Sequence, residues 1–188
     1  SIINGYTPGP ATEKEWAETY PLEKEALDYF IHNAGSPNGV IDGGIPVFAA
    51  GNEYAGNPAF PGAYSKCVCV ASVAADYTPA CYTDYGTLVT LSAPGGDLEY
   101  YGKIGEEEDE YWAETAEQKG AVLSTLIQNG KPAYGYMEGT SMACPHVSGV
   151  AALGLAYAAK QHRHYRAADF INLMKKSVKD LNRYYENG

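Results

Sequence analysis

The stretch Gly139-Thr140-Ser141-Met142-Ala143-Cys144-Pro145-His146-Val147-Ser148-Gly149 constrains this chain more than any other. It sets a serine between a tight turn and the start of an apolar helix. Gly139 permits backbone angles that a Cβ resists. Thr140 and Ser141 are good N-cap residues. Pro145 is tolerated only within the first helical turn, so the helix begins within a residue or two of the serine. The run Val147 to Lys160 is apolar on nearly every face, which predicts a buried helix, and its small residues allow neighbours to approach closely. At about fourteen residues the run is too short to cross a bilayer. Ser141 then stands at the positive end of a buried helix, where free N–H groups can meet an oxyanion.

Upstream, Val47-Phe48-Ala49-Ala50 is a short apolar run closed by Gly51-Asn52, as a buried parallel strand would be. Val68, Val70 and Val73 mark a second strand, and Leu88, Val89 and Leu91 a third. Helical spacing links Trp16, Tyr20, Leu22, Ala26, Leu27, Phe30 and Ile31, but Pro21 interrupts it. The pattern predicts a short first segment, then a helix from about Pro21 to Ala34 with the proline near its start. Ala167 to Val178 reads as a last helix. Strands interleaved with helices predict an α/β fold with a mainly parallel sheet. In such sheets ligands gather at the carboxyl ends of the strands, and Asn52 lies directly after one.

The serine segment resembles the serine motif of the subtilisin-like serine proteases, Gly-Thr-Ser-Met-Ala-x-Pro-His-Val-x-Gly, at every fixed position. Ile45 to Glu53 resembles that family's buried strand and its Ala-Ala-Gly-Asn turn. Phe60 to Tyr64, Cys67 to Val73, Ala80 to Gly86 and Leu88 to Gly95 resemble further family segments, in the family's order. The resemblance implies a three-layer α/β domain, a mainly parallel sheet with helices on both faces, here lacking its N-terminal strands. It implies peptide-bond hydrolysis through an acyl-enzyme on Ser141. Asn52 and the Ser141 N–H would form the oxyanion hole, with Thr140 in support and Ala50, Gly51 and Glu53 near the substrate. A carboxylate at Glu53 would favour basic or polar side chains weakly, through screened attraction. Two alternatives share these residues: a non-catalytic peptide-binding homologue, and a peptide ligase that passes the acyl group to an amine.

The proton acceptor is the missing part. A serine nucleophile needs a base, and the family orders its triad Asp, His, Ser. Neither an Asp-Ser/Thr-Gly turn nor a His-Gly-Thr helix start occurs here. His146 follows Ser141 on the same helix and reads as helix packing. His32 falls near a helix end, where a cation suits the dipole. His162 and His164 read as solvated surface, and Asp42 as a loop residue. Ser1-Ile2-Ile3-Asn4 resembles the end of a family strand, and the family's Ser-x-Gly segment is not readable after it. These features predict that residues 1–188 form the C-terminal part of a single catalytic domain. The Asp and His would come from an upstream segment, and this chain alone would be inactive.

Composition bounds the rest. Aspartate and glutamate outnumber lysine and arginine, 23 to 13, for a net charge of −10, which argues against nucleic acid as a partner. No membrane span is expected. Seventeen tyrosines and 21 glycines suit a loop-rich secreted or periplasmic enzyme. Cys67 and Cys69 share a strand face and cannot easily bridge each other. Cys81 could meet one of them, and Cys144 reads as a small apolar residue. There is no Cys-x-x-Cys pair, hence no zinc signature. No cofactor is expected. The acidic run Glu106 to Glu110 reads as a solvated loop, with calcium as a structural ion the sharper reading.

Overall fold

A computed structural model of the chain describes residues 9–35, 39–98 and 120–181. In order, its elements are α1 (Glu13–Thr19), α2 (Pro21–Asn33), β1 (Ile41–Asp42), β2 (Val47–Ala49), β3 (Val68–Val73), β4 (Leu91–Pro94), β5 (Val122–Gln128), β6 (Lys131–Met137), α3 (Thr140–Lys160), β7 (Tyr165–Arg166) and α4 (Ala167–Ser177). β3 is buried along its whole length, as a strand with parallel neighbours on both sides must be. β2 and β4 flank it, with Val47 opposite Val68 and Val70 opposite Leu91.

The two-residue period of β3 sorts its side chains between two layers. Val68 and Val70 face one side, where Ala143, Val147 and Ala151 of α3 and Phe170 and Met174 of α4 close over them. Cys69 and Ala71 face the other side, with Ala50. On that side Cys67 meets Trp16 and Tyr64, packed with Leu27, Ile31 and Phe48, so α1 and α2 cover it. The result is the expected α/β architecture, a parallel sheet between helical layers. Pro21 opens α2, as its fixed φ and missing N–H favour. Trp16 stacks on Phe60 at 5.2 Å and donates its indole N–H to Glu23 at 2.7 Å.

Several expectations need correction. The third strand begins at Leu91, and Leu88 is an exposed turn residue. An antiparallel hairpin, β5–β6, went unforeseen, although Asn129-Gly130 at its tip is a strong hairpin signal. Both tip residues have positive φ, 51° and 74°. Pro145 does not lie in the first turn of α3. It is the sixth helical residue, because the helix starts at Thr140, where contacts from other segments hold it. At 21 residues with a mean hydropathy of 1.3, α3 is long and apolar enough to cross a membrane, a test that core helices of soluble proteins also pass. Nor is α3 buried all round. Ala143, Val147 and Ala151 face the sheet, whereas Val150, Leu153 and Tyr157 are 62–73% exposed, because no described element covers them. No disulfide joins any of the four cysteines, so Cys81 does not bridge to Cys67 or Cys69. Burial pushes the Cys67 and Cys69 thiols up to about 12.

A second parallel pair joins β1 to β7. Asp42 is therefore a strand residue, and its carboxylate meets His164 Nε2 at 2.8 Å, while His164 Nδ1 lies 2.7 Å from Gly39 O. Asp42 foremost, then the Gly39 carbonyl, raises the imidazole above its ordinary value. A raised histidine stabilises the fold fully below about pH 6.5 and loses that effect as pH rises through the raised value. His164→Gln should therefore melt below the natural protein at about pH 6 and together with it at about pH 9, measured by thermal denaturation.

Candidate active site

The site forms where the end of β2 meets the start of α3. The first N–H groups of a helix lack partners within it. Gly139 is the N-cap and supplies no side chain; its φ of 139° suits glycine. The cap comes instead from across the chain. Asn52 Oδ1 accepts the Thr140 backbone N–H at 2.9 Å and the Thr140 hydroxyl at 2.8 Å. Two donors on one oxygen settle the orientation of the amide, since a backbone N–H can face only the oxygen end. The Asn52 Nδ2 end is left turned away from Thr140. A Cβ built on Gly139 would lie 3.5 Å from Asn52 Nδ2 and 3.7 Å from Ser141 N, so both donors border the space beside that glycine.

Ser141 is the second helical residue and is exposed. Neither its Oγ nor its backbone N–H meets a partner among the described residues. Thr140, by contrast, is 1% exposed, and its hydroxyl also accepts the Gly51 N–H at 3.3 Å. The hydroxyl proton of Thr140 is directed at Asn52 Oδ1, so in this structure Thr140 holds Asn52. Ala50 is buried and offers no side-chain surface, whereas Glu53 is exposed and its Oε2 accepts the Asn52 N–H at 2.9 Å. Gly51 is half-buried between them.

Two further groups hold the site, and no local pattern announced either role. Gly139 N–H donates to Gly95 O at 2.9 Å, and the Tyr82 hydroxyl lies 3.1 Å from that oxygen and 2.6 Å from Gly96 O. Burial pushes the Tyr82 phenol up to about 12, so it stays a neutral donor. Asp84, 2% exposed, accepts the backbone N–H groups of Glu53 and Ala55.

None of the four histidines is bonded to Ser141. His146 Nδ1 lies 2.8 Å from Met142 O, His32 Nδ1 lies 2.6 Å from Asp28 O, and His164 belongs to the β1–β7 pair. His162 is exposed just beyond the end of α3. No three His, Cys, Asp or Glu side chains gather to hold a metal among the described residues. The acidic run Glu106 to Glu110, where calcium is expected, lies outside them, as does Ser1 to Asn4. A cavity of about 520 Å³ lies between β4, α3 and α4, but it is apolar and borders neither Ser141 nor Asn52.

Known proteins share this pattern. Residues 7–187 match the model of the Subtilase family, Peptidase_S8. The chain belongs to that family. Halolysin of Haloferax mediterranei is 33% identical over 137 residues, 73% of this subtilase chain and 20% of halolysin. Thermitase of Thermoactinomyces vulgaris is 34% identical over 126 residues, 67% of this chain and 35% of thermitase. The solved structure of a protease from Pseudoalteromonas arctica superposes with a TM-score of 0.56 at 31% identity, over 73% of this chain and 36% of that one. The chain therefore spans well under half the length of these relatives.

The Asn52–Thr140 contact is open to a direct test. Thr140→Val keeps the shape but removes the hydroxyl and strands the Gly51 N–H. We expect a loss of about 1–2 kcal/mol in stability, read by chemical denaturation of the full-length protein.

Proposed function

We propose that this subtilase chain is the C-terminal part of a serine endopeptidase domain and that Ser141 is its nucleophile. The observation that carries this reading is the pair of hydrogen bonds from Thr140 to Asn52 Oδ1. They tie the amide of Asn52 to the helix start that presents Ser141, so Nδ2 and the Ser141 N–H can meet one carbonyl oxygen. As that carbonyl is attacked, its oxygen gains negative charge, and preorganised donors aimed there lower the barrier. The open N-terminus of α3 adds a favourable field.

The proton of Ser141 goes to a histidine on polypeptide outside these 188 residues, oriented by an aspartate there. Two surfaces support that assignment. The apolar stripe of Val150, Leu153 and Tyr157 on α3 lacks a cover among the described residues. Among the described residues β2 pairs on one side only, since the sheet order is β2-β3-β4. An apolar helix face and an unpaired strand edge are both costly in water. The upstream segment covers them and brings the base to Ser141 in the same step. The substrate is a polypeptide, the enzyme is secreted or periplasmic, and calcium acts at most as a structural ion.

A fluorophosphonate, which reacts with an activated serine, tests the reading. In the full-length protein we expect stoichiometric label on Ser141, mapped by mass spectrometry, and none in residues 1–188 alone. Label on another residue overturns the nucleophile, and label on the isolated chain overturns the external base. Asn52→Ala should lower kcat roughly 10²–10³-fold with KM little changed, the size known for one oxyanion donor in a subtilisin. Mass spectrometry of the products separates hydrolysis from transfer to an amine. Glu53→Gln should lower a lysine-over-leucine preference by roughly two- to fivefold, as a screened surface charge would; an unchanged preference removes Glu53 from specificity.

A further inference from the structure

The loop that carries Asn52 is held from one side by a second segment. Asp84 N–H donates to Gly51 O at 3.0 Å, Tyr54 N–H to Tyr82 O at 2.9 Å, and Tyr85 N–H to Ala55 O at 2.9 Å. The Asp84 side chain completes the set. Its Oδ1 accepts the N–H of Glu53 at 3.0 Å and of Ala55 at 2.8 Å. Its other oxygen lies under Gly51, where a Cβ would collide with Asp84 Oδ2 and stand 2.7 Å from Glu53 Oε2. The two carboxyl groups thus face each other across the bare Cα of that glycine. The segment bearing Asp84 is itself fixed to the sheet, because Thr83 Oγ1 accepts the Ser72 N–H of β3 at 2.9 Å.

We propose that Asp84 is the positioning residue of the oxyanion loop, gripping residues 51–55 so that Asn52 keeps its amide turned toward the reacting carbonyl, and that an amide at position 84 can do the same work. The inference rests on the oxyanion role proposed above for Asn52. Three observations support it. Asp84 is buried, yet both bonds from Oδ1 go to the loop on either side of Tyr54, directly after Asn52. Burial first pushes the Asp84 carboxyl up, the two backbone donors pull it back, and the Glu53 carboxylate adds to the rise. An asparagine accepts both N–H groups through Oδ1 and can donate from Nδ2 toward Glu53.

The test compares Asp84→Val, which fills similar volume without accepting, with Asp84→Asn in the full-length protein. Asp84→Val should lower kcat roughly 10- to 100-fold with KM within about twofold, the pattern of a loop displaced by a fraction of an ångström. Asp84→Asn should restore kcat to within about threefold of the natural protein. A folded Asp84→Val with full kcat overturns the proposal, and so does an Asn variant as slow as the Val variant. If Asp84→Val does not fold, the Asn variant decides alone: a folded protein with kcat down tenfold or more ends the idea. Ser141→Ala runs beside them. Turnover that survives Ser141→Ala refutes the protease reading itself, whereas a silent Ser141→Ala with a full-speed Asp84→Val refutes only the role of Asp84.

Discussion

The junction of Asn52 and Thr140 is the constraint on which the site depends. A helix start leaves backbone donors without partners, and a strand end leaves the next residue free to leave the sheet. Here each solves the other's problem. Asn52 caps α3 from across the chain, and Thr140 in turn decides which way the Asn52 amide points. Because Thr140 is buried, water is kept from its side of these bonds, which strengthens them. Ser141, one residue on, inherits a fixed position and remains exposed.

The packing below explains why that junction is rigid. α3 lies on β2, β3 and β4, with Ala143, Val147 and Ala151 against Val68, Val70 and Ala93. Small residues on the helix let its axis approach the sheet, which sets the height of its first turn above the strand ends. Gly139 is tied to Gly95 just past β4, and Gly51 to Asp84. The helix start is therefore held by segments that are not adjacent to it in sequence. Capping by distant groups replaces the local side-chain cap that α3 lacks.

The same helix shows what a partial set of neighbours does. One face of α3 meets the core, and the flanking stripe of Val150, Leu153 and Tyr157 is exposed, with Val150 and Tyr157 bordering the cavity beside β4 and α4. A composition that is apolar all round states only that the helix expects neighbours on every side. It does not say whether the described residues supply them. The charged groups tell a complementary story. Asp28 gathers Lys24, Lys66 and the Tyr64 hydroxyl, which together hold its carboxyl well below the usual range and tie α2 to the segment before β3.

Much of this was legible in the chain itself. Pro21 marked the start of α2, the valines of β3 marked a strand, and the Gly139 to Gly149 segment marked the helix that presents Ser141. Such features are local: a proline's φ, a two-residue period and a glycine turn act on their own neighbours. The β5–β6 hairpin was equally local in its Asn129-Gly130 turn but carries no core-facing alternation strong enough to stand out. Only the tertiary structure decided the rest. It joined Thr140 to Asn52, turned Asp42 from a loop residue into a strand partner of Arg166, and set Asp84 beneath a loop 29 to 31 residues upstream. Sequence determined which groups could donate, accept or attack; the fold decided which of them meet, because a hydrogen bond depends on a few tenths of an ångström between segments whose separation no local pattern records.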